Sequence, residues 1–284
     1  MEFKLGLIGY PVQHSLSPFI HQKFMENTSI QGSYQLFETE PHQLEKRLEE
    51  LKRADISGFN VTVPHKQAIM SYLDEVDSDA YRIGAVNTVV NDKGRLKGYN
   101  TDGIGYVRSL AEAYPNVFQQ EKKALILGAG GAARGIYRAL VKQGIQGISI
   151  ANRTKSKAEG LLDLQDLHTE TEILSFSEAE AALDNFDLIV QTTSVGMSPN
   201  HDEQVISLNK VKPHTVVSDI VYKPLNTKLL REAANLGAKT HHGHTMLLYQ
   251  AQYAFEIWTG AHPQMESLVE QLEQRLRGNG YVNR

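Results

Sequence analysis

The sequence predicts an α/β protein of two domains: an N-terminal domain on a mostly parallel sheet and a second, doubly wound domain, with a cleft between them. Three observations carry that prediction. The chain has 284 residues, too many for one ordinary domain and about right for two. From residue 123 onward, apolar segments of strand length alternate with amphipathic segments of helical period, the pattern of a parallel sheet covered on both faces. Between the first such strand and helix stands a glycine-rich turn, Gly128-Ala129-Gly130-Gly131-Ala132-Ala133.

Taken in order, residues 3–9 form a strand running into a Gly/Pro loop. Ser17-Pro18 opens a helix to about residue 25, with proline in the first turn, where its missing N–H is tolerated. Residues 34–38 form a second strand, and 43–52, charged on the outer face, a helix. A third strand at 56–63 is ended by Pro64, which opens a helix to about residue 73. Residues 86–90 and 95–98 flank Asn91-Asp92-Lys93-Gly94 and make a hairpin. A helix follows Asp102 to about residue 113, and the polar stretch 114–121 connects the domains. Strands then fall at 123–127, 147–151, near 173, at 188–192, 216–220 and 238–240, with helices at 132–142 and 155–164. An apolar helix at 246–259 and an amphipathic one at 265–277 end the chain and are expected to pack back on the first domain. The division expected is residues 1–103 plus 244–284 for the first domain and 104–243 for the second.

Composition excludes several classes. Apolar residues make up 41% and charged residues 22%, as in an ordinary globular chain and unlike a disordered one. With 29 Lys+Arg against 33 Asp+Glu the net charge is −4, and no basic block invites nucleic acid or an anionic membrane. There are no cysteines, which removes disulfides, Cys-ligated metals and thiol nucleophiles. No signal-like segment opens the chain, and no apolar run approaches the ~18 residues of a membrane helix. A cytoplasmic protein is expected. His241, His242 and His244 crowd together, but without carboxylates at metal spacing no metal site is expected.

The turn at 128–133 fits Gly-x-Gly-x-x-Gly/Ala in the strand–turn–helix setting that gives this pattern its mechanism, that of a Rossmann-type domain. Gly128 permits the tight turn, Gly130 the approach of a pyrophosphate, and Ala133 close packing of helix on sheet. The next strand ends in Asn152-Arg153-Thr154-Lys155-Ser156-Lys157. An acid there would accept from a ribose 2′-hydroxyl; cations and hydroxyls suit a 2′-phosphate instead. The expected cofactor is NADP. No tyrosine has a lysine four residues later, so the acid/base of a Tyr-x-x-x-Lys dehydrogenase is absent and another must serve from the first domain.

Two stretches there are polar for their context. One is 9–18, with Ser15 and Ser17 before a helix, an arrangement suited to a carboxylate. The other is Asn60-Val61-Thr62-Val63-Pro64-His65-Lys66, where strand period two puts Asn60 and Thr62 on one face. Lys66 lies just past the strand end, where sites of open α/β sheets form. Ala85-Val86-Asn87-Thr88 and Asn100-Thr101-Asp102-Gly103 add amide, hydroxyl and carboxylate groups.

These stretches, with Thr193-Ser194-Val195-Gly196-Met197, Asp219 to Pro224 and Gly243 to Gln250, resemble in order the shikimate/quinate dehydrogenase family over nearly the whole chain. The resemblance implies NADPH-dependent reduction of 3-dehydroshikimate to shikimate, a step toward chorismate and the aromatic amino acids. It implies that Ser15 and Ser17 hold the substrate carboxylate, and that Thr62, Asn87, Thr101, Asp102, Tyr222 and Gln250 lie on or near its hydroxyls. It makes Lys66 and Asp102 the catalytic pair. It implies a cofactor site of Gly128, Ala129, Gly130, Gly131, Ala132, Asn152, Arg153, Thr154, Lys157, Thr192, Ile220 and Gly243. It suggests a monomer or homodimer. Gln191 and Gln22 stand where the family commonly has Asn, departures that leave the chemistry untouched. Two alternatives remain open: an NAD-preferring quinate/shikimate dehydrogenase, and a non-catalytic NADP-binding regulator on the same scaffold.

Overall fold

The computed structural model describes residues 2–119 and 121–278. It divides into two compact units, one running to Gly105 with Leu248–Leu268 added, the other of Tyr106–Leu247 with the chain from Val269.

The first unit carries β1 (Phe3–Gly9), α1 (Ser17–Thr28), β2 (Gly32–Glu38), α2 (Leu44–Arg53), β3 (Gly58–Val61), β4 (Glu75–Val76), α3 (Ser78–Ile83), β5 (Thr88–Asp92), β6 (Arg95–Tyr99) and the start of α4 (Asp102–Ala113). Its six-stranded sheet has the order β2-β1-β3-β5-β6-β4. β1 is parallel to β2 and β3, whereas β5 is antiparallel to β3 and to β6. β1 is buried from Leu5 to Gly9, as a central parallel strand with both faces covered must be. In α2, Leu44, Leu48 and Leu51 recur at i, i+4 and i+7 and are its buried residues. They join Ile8, Phe59 and Val61 in one core cluster; each such side chain contributes about 1.5–3 kcal/mol by burial. The mixed pairing gathers strand ends that are distant in sequence. Because β5 runs against β3 and β6 runs against β5, the ends of β1, β3 and β6 and the start of β5 meet at one edge of the sheet.

The second unit carries β7 (Lys123–Leu127), α5 (Gly131–Lys142), β8 (Gly147–Ala151), α6 (Lys155–Glu159), β9 (Glu170–Leu174), α7 (Phe176–Ala181), β10 (Leu188–Gln191), β11 (Val216–Asp219), α8 (Lys228–Asn235) and β12 (Lys239–His242). The long helix α9 (Gly243–Thr259) begins in it, and α10 (Glu266–Gly278) ends in it. All six strands are parallel, in the order β12-β11-β10-β7-β8-β9. The order reverses between β7 and β10, the switch point at which such sheets bind ligands. No helix among the described residues is long and apolar enough to cross a membrane.

The structure departs from the sequence expectations in several places. Residues 64–73 are not an α-helix: a turn closes from His65 N–H to the Thr62 carbonyl, and only a 3₁₀ turn forms at Ala68–Tyr72. The expected helix at 155–164 stops at Glu159, is capped by Gly160, and resumes as a 3₁₀ turn at Leu162–Leu164. Three short helices went unforeseen. They are set by side-chain caps: Asp77 for α3, the Ser175/Glu178 capping box for α7, and Thr227 for α8. The division expected from sequence put 244–284 wholly in the first domain, whereas the chain from Val269 groups with the second unit. There Glu273 and Arg277 of α10 lie near enough to His242 and His244 to act on their charge.

Candidate active site

Lys66 follows the end of β3, and Asp102 opens α4 just after β6. The Lys66 ammonium donates to Asp102 Oδ2 at 2.6 Å, with the lysine side chain 26% exposed and the aspartate side chain 11%. No other ion pair engages Lys66 among the described residues, so part of its donor capacity remains for a ligand. The other aspartate oxygen, Oδ1, accepts from Asn87 Nδ2 at 2.8 Å. Asn87 stands immediately before β5, and its backbone N–H and C=O bind Tyr99 and Val61, which places it between the ends of β6 and β3. Thr101 N–H donates to Asn87 Oδ1 at 2.8 Å. The Asp102 N–H donates to Asn100 Oδ1, and Asn100 in turn holds the Ala85 carbonyl. Residues 36 apart in sequence are thus locked at one sheet edge by antiparallel pairing and side-chain amides.

The serine loop sits at the end of β1, on the same edge. Ser15 Oγ donates to Ser17 Oγ at 3.1 Å and accepts the Ser17 N–H at 3.2 Å. The pair forms a compact polar corner at the first turn of α1, whose positive end favours an anion. Thr62 is half-buried, one residue past β3. Gln250 lies in α9 against the first turn of α4: a Cβ at Gly105 would fall 2.5 Å from the Gln250 nitrogen, so only glycine allows the two backbones this approach. Ser15, Ser17, Thr62, Lys66, Asn87, Thr101, Asp102 and Gln250 all belong to the first unit; Tyr222 belongs to the second.

In the second unit, Gly128 ends β7 with φ +111°, and a Cβ there would meet Thr192 Oγ1 and Thr193 Cγ2, each at 2.7 Å. Gly130 is the N-cap of α5 and lacks a side-chain cap, and the space around Gly130 and Gly131 is open. These are uncapped N–H groups beside open space at a helix start, the physical requirement for a pyrophosphate. Asn152 Nδ2 donates to the Thr154 carbonyl and shapes the loop after β8. Arg153, Thr154 and Lys157 are exposed around it, and Thr154 caps α6 without using its hydroxyl. No acid occupies this strand end, so the residues present fit a dinucleotide bearing a 2′-phosphate. Thr192 is buried and donates to the Leu127 carbonyl at 2.8 Å, which makes it the backing of the Gly128 turn. Ile220 and Tyr222 are half-buried after β11, burial raising the Tyr222 phenol above its ordinary value, and Gly243 packs on the Ile220 carbonyl.

Sequence reasoning passed over two groups. Tyr34, Asn60 and Thr88 form a buried hydrogen-bonded set behind Asn87: the Tyr34 hydroxyl lies 2.7 Å from Asn60 Oδ1, and Asn60 Nδ2 3.2 Å from Thr88 Oγ1. Asn60 carried a signal as a polar residue in an apolar strand and Thr88 as the hydroxyl after Asn87, whereas Tyr34 carried none. The second group centres on Gln191, which reaches the Thr193 and Val195 carbonyls and Asp219 Oδ1, and accepts the Thr193 N–H. Asp219 also accepts from the Val221 N–H and the Thr227 hydroxyl. Its carboxyl is nevertheless pushed up to about 6 by burial. Gln191 therefore ties the loop after β10 to the loop after β11. No group of three or more His, Cys, Asp or Glu fit to hold a metal ion exists among the described residues.

Three family models match in succession. They are the shikimate dehydrogenase substrate binding domain over residues 7–89, shikimate/quinate 5-dehydrogenase over 110–225, and the shikimate 5′-dehydrogenase C-terminal domain over 243–273. The chain is 50% identical over 280 residues to the shikimate dehydrogenase (NADP(+)) of Oceanobacillus iheyensis, covering 98% of this chain and 100% of that one. It is 48% identical to the enzyme of the same name from a Geobacillus strain, again covering 98% and 100%. Among solved structures, shikimate 5-dehydrogenase from Thermus thermophilus in complex with NADP(H) and shikimate matches with a TM-score of 0.86 at 35% identity, covering 96% of this chain and 99% of that one.

Proposed function

This chain belongs to the shikimate dehydrogenase family, and from that premise we propose that it reduces 3-dehydroshikimate to shikimate with NADPH, reversibly, with Lys66 and Asp102 as its catalytic pair. The observation that carries the reading is the 2.6 Å contact between the Lys66 ammonium and Asp102, held at a sheet edge with Asn87 on the other aspartate oxygen.

Each residue has a task that its chemistry allows. The paired hydroxyls of Ser15 and Ser17 bind the ring carboxylate. Thr62, Asn87, Thr101, Asp102, Tyr222 and Gln250 serve the ring hydroxyls. Lys66 donates a proton to the oxygen of the ring ketone as it gains charge, and takes it back in the reverse direction. Asp102 holds the amine in place and binds the neighbouring hydroxyl. NADPH, when bound, supplies the hydride. Gly128 to Ala132 with the α5 N-terminus would hold its pyrophosphate and Asn152 to Lys157 its 2′-phosphate, and Ile220 and Gly243 would serve its nicotinamide end. The enzyme works in the cytoplasm as a monomer or homodimer, with no nucleic-acid or membrane partner.

The test is initial-rate kinetics of shikimate oxidation followed at 340 nm with NADP and with NAD. The reading expects kcat/KM to favour NADP, and Arg153→Ala to lower kcat/KM for NADP by about 10–100-fold, the worth of a charge-assisted phosphate contact, with little change for NAD. A preference for NAD, or for quinate over shikimate, supports the quinate/shikimate alternative. An absence of turnover with intact NADP binding supports the regulator.

A further inference from the structure

The buried hydrogen bonds that run from Tyr34 to Lys66 have one direction. The Asn87 carbonyl only accepts, so the end of the Asn60 amide 3.1 Å from it is the NH₂. The other end, 2.7 Å from the Tyr34 oxygen, is therefore the carbonyl, and the phenol must donate to it. The same NH₂ donates to Thr88 Oγ1 at 3.2 Å, which turns the threonine proton to Asn87 Oδ1 at 2.9 Å. With its oxygen so engaged, and held also by the Thr101 N–H, Asn87 turns its NH₂ to Asp102 Oδ1 at 2.8 Å, leaving Oδ2 for Lys66. Asn60 is 6% exposed, Asn87 2% and Thr88 not at all, so water offers these groups no substitute partners.

We propose that Tyr34 is a positioning residue for the reaction: its hydroxyl fixes the Asn60 amide and, through Thr88 and Asn87, the Asp102 carboxylate against Lys66. The inference rests on the catalytic reading of Lys66 and Asp102. The tyrosine is well placed for the part. The His21 ring stacks on it at 4.4 Å and 7° between planes, which holds the phenol in one position. Burial raises the phenol far above its ordinary value, so it stays a donor throughout the working range. Ser17 lies beside the same hydroxyl, so the carboxylate corner and the catalytic pair share one anchor.

A double-mutant cycle tests it, with Tyr34→Phe, Thr88→Val and the pair, read as kcat for shikimate oxidation, KM for NADP, and Tm. Tyr34→Phe is expected to lower kcat about tenfold, the worth of one buried hydrogen bond, and to leave KM for NADP within about twofold of wild type. Thr88→Val cuts the same chain nearer to Asp102, so the double variant is expected to be no slower than Thr88→Val alone. Losses in kcat that multiply, or a Tyr34→Phe variant as fast as wild type, overturn the inference. So does a fall in Tm with kcat unchanged, the mark of a purely structural tyrosine. Should Tyr34→Phe not fold, Thr88→Val decides: unchanged kcat overturns the chain of contacts, and lowered kcat with KM for NADP unchanged, restored by Thr88→Ser, supports it. A wild type that does not oxidise shikimate overturns the functional reading as well, whereas an active wild type matched by Tyr34→Phe overturns this inference alone.

Discussion

Lys66→Ala is expected to lower kcat for shikimate oxidation by about 10²–10⁴-fold, with KM for shikimate little changed. The size comes from the work assigned to the amine. Its contact with the oxygen strengthens as charge develops and a proton moves, so its loss falls mainly on the transition state rather than on binding. The carboxylate and hydroxyl contacts of the ground state are assigned to other residues, among them Ser15, Ser17 and Asn87. Asp102→Asn is expected to behave differently. Asp102 accepts from Lys66 on Oδ2 and from Asn87 on Oδ1. An amide offers one oxygen, so either orientation sets an NH₂ against another donor. Because the residue is also assigned a substrate hydroxyl, kcat should fall and KM for shikimate rise together. Steady-state kinetics on the two variants separates the roles; a Lys66→Ala enzyme with near-normal kcat removes the lysine from the chemistry.

Acidification from pH 7 to pH 5 is expected to lower Tm by roughly 5–10 °C in both units, through about 2 kcal/mol in each. The cause is three buried histidines. In the first unit, burial holds His21 down at about 3, within a wall of Tyr34, Phe24 and Trp258. In the second, burial and neighbouring histidines hold His241 at about 3 and His244 at about 4. The unfolded chain protonates these groups near their ordinary 6.5. Between 6.5 and the folded values the unfolded state therefore binds more protons, and stability present at pH 7 is lost as pH falls. Asp219 acts in the opposite sense. Its carboxyl is raised to about 6 from an ordinary 3.8, so its contribution is fully present below 3.8 and is lost as pH rises through 6. Between pH 7 and 5 it offsets about a third of the loss from the two histidines of the second unit, and the figure of about 2 kcal/mol includes that offset. Circular dichroism melts at pH 7 and 5 check the expectation; coincident melts contradict the burial of the three rings as neutral groups.

The legible part of this protein is the part written in local spacing. Gly128 to Ala133 and Asn152 to Lys157 are read in a few residues, because a turn and a strand end are local objects. The same holds for Lys66, placed just past a strand end, and for Asp102, placed before a helix. Their contact is another matter: it depends on β5 running against β3 and β6, a pairing that brings together residues 36 apart and that no short motif encodes. Tyr34 was invisible for a related reason. A tyrosine in a strand reads as core until the amide of Asn60 is seen between it and the Thr88 hydroxyl. The helices α3, α7 and α8 are six to eight residues long, too short for their periodicity to stand out, although the Ser175-x-x-Glu178 box marked one start. The helix expected after Pro64 failed because His65 turns inward to the Thr39 carbonyl and is buried there, breaking the period assumed. Gln191, set aside as a harmless departure, proved to join two loops because its longer side chain reaches Asp219.

A crystal structure of the protein with shikimate bound is the most direct test of the role given to Lys66. Its Nζ is expected within about 2.6–3.2 Å of the ring oxygen that is oxidised, with Asp102 still holding the amine and the Ser15 and Ser17 hydroxyls on the carboxylate. A ring bound with that amine beyond about 4.5 Å of every substrate oxygen, and no water between them, would contradict it.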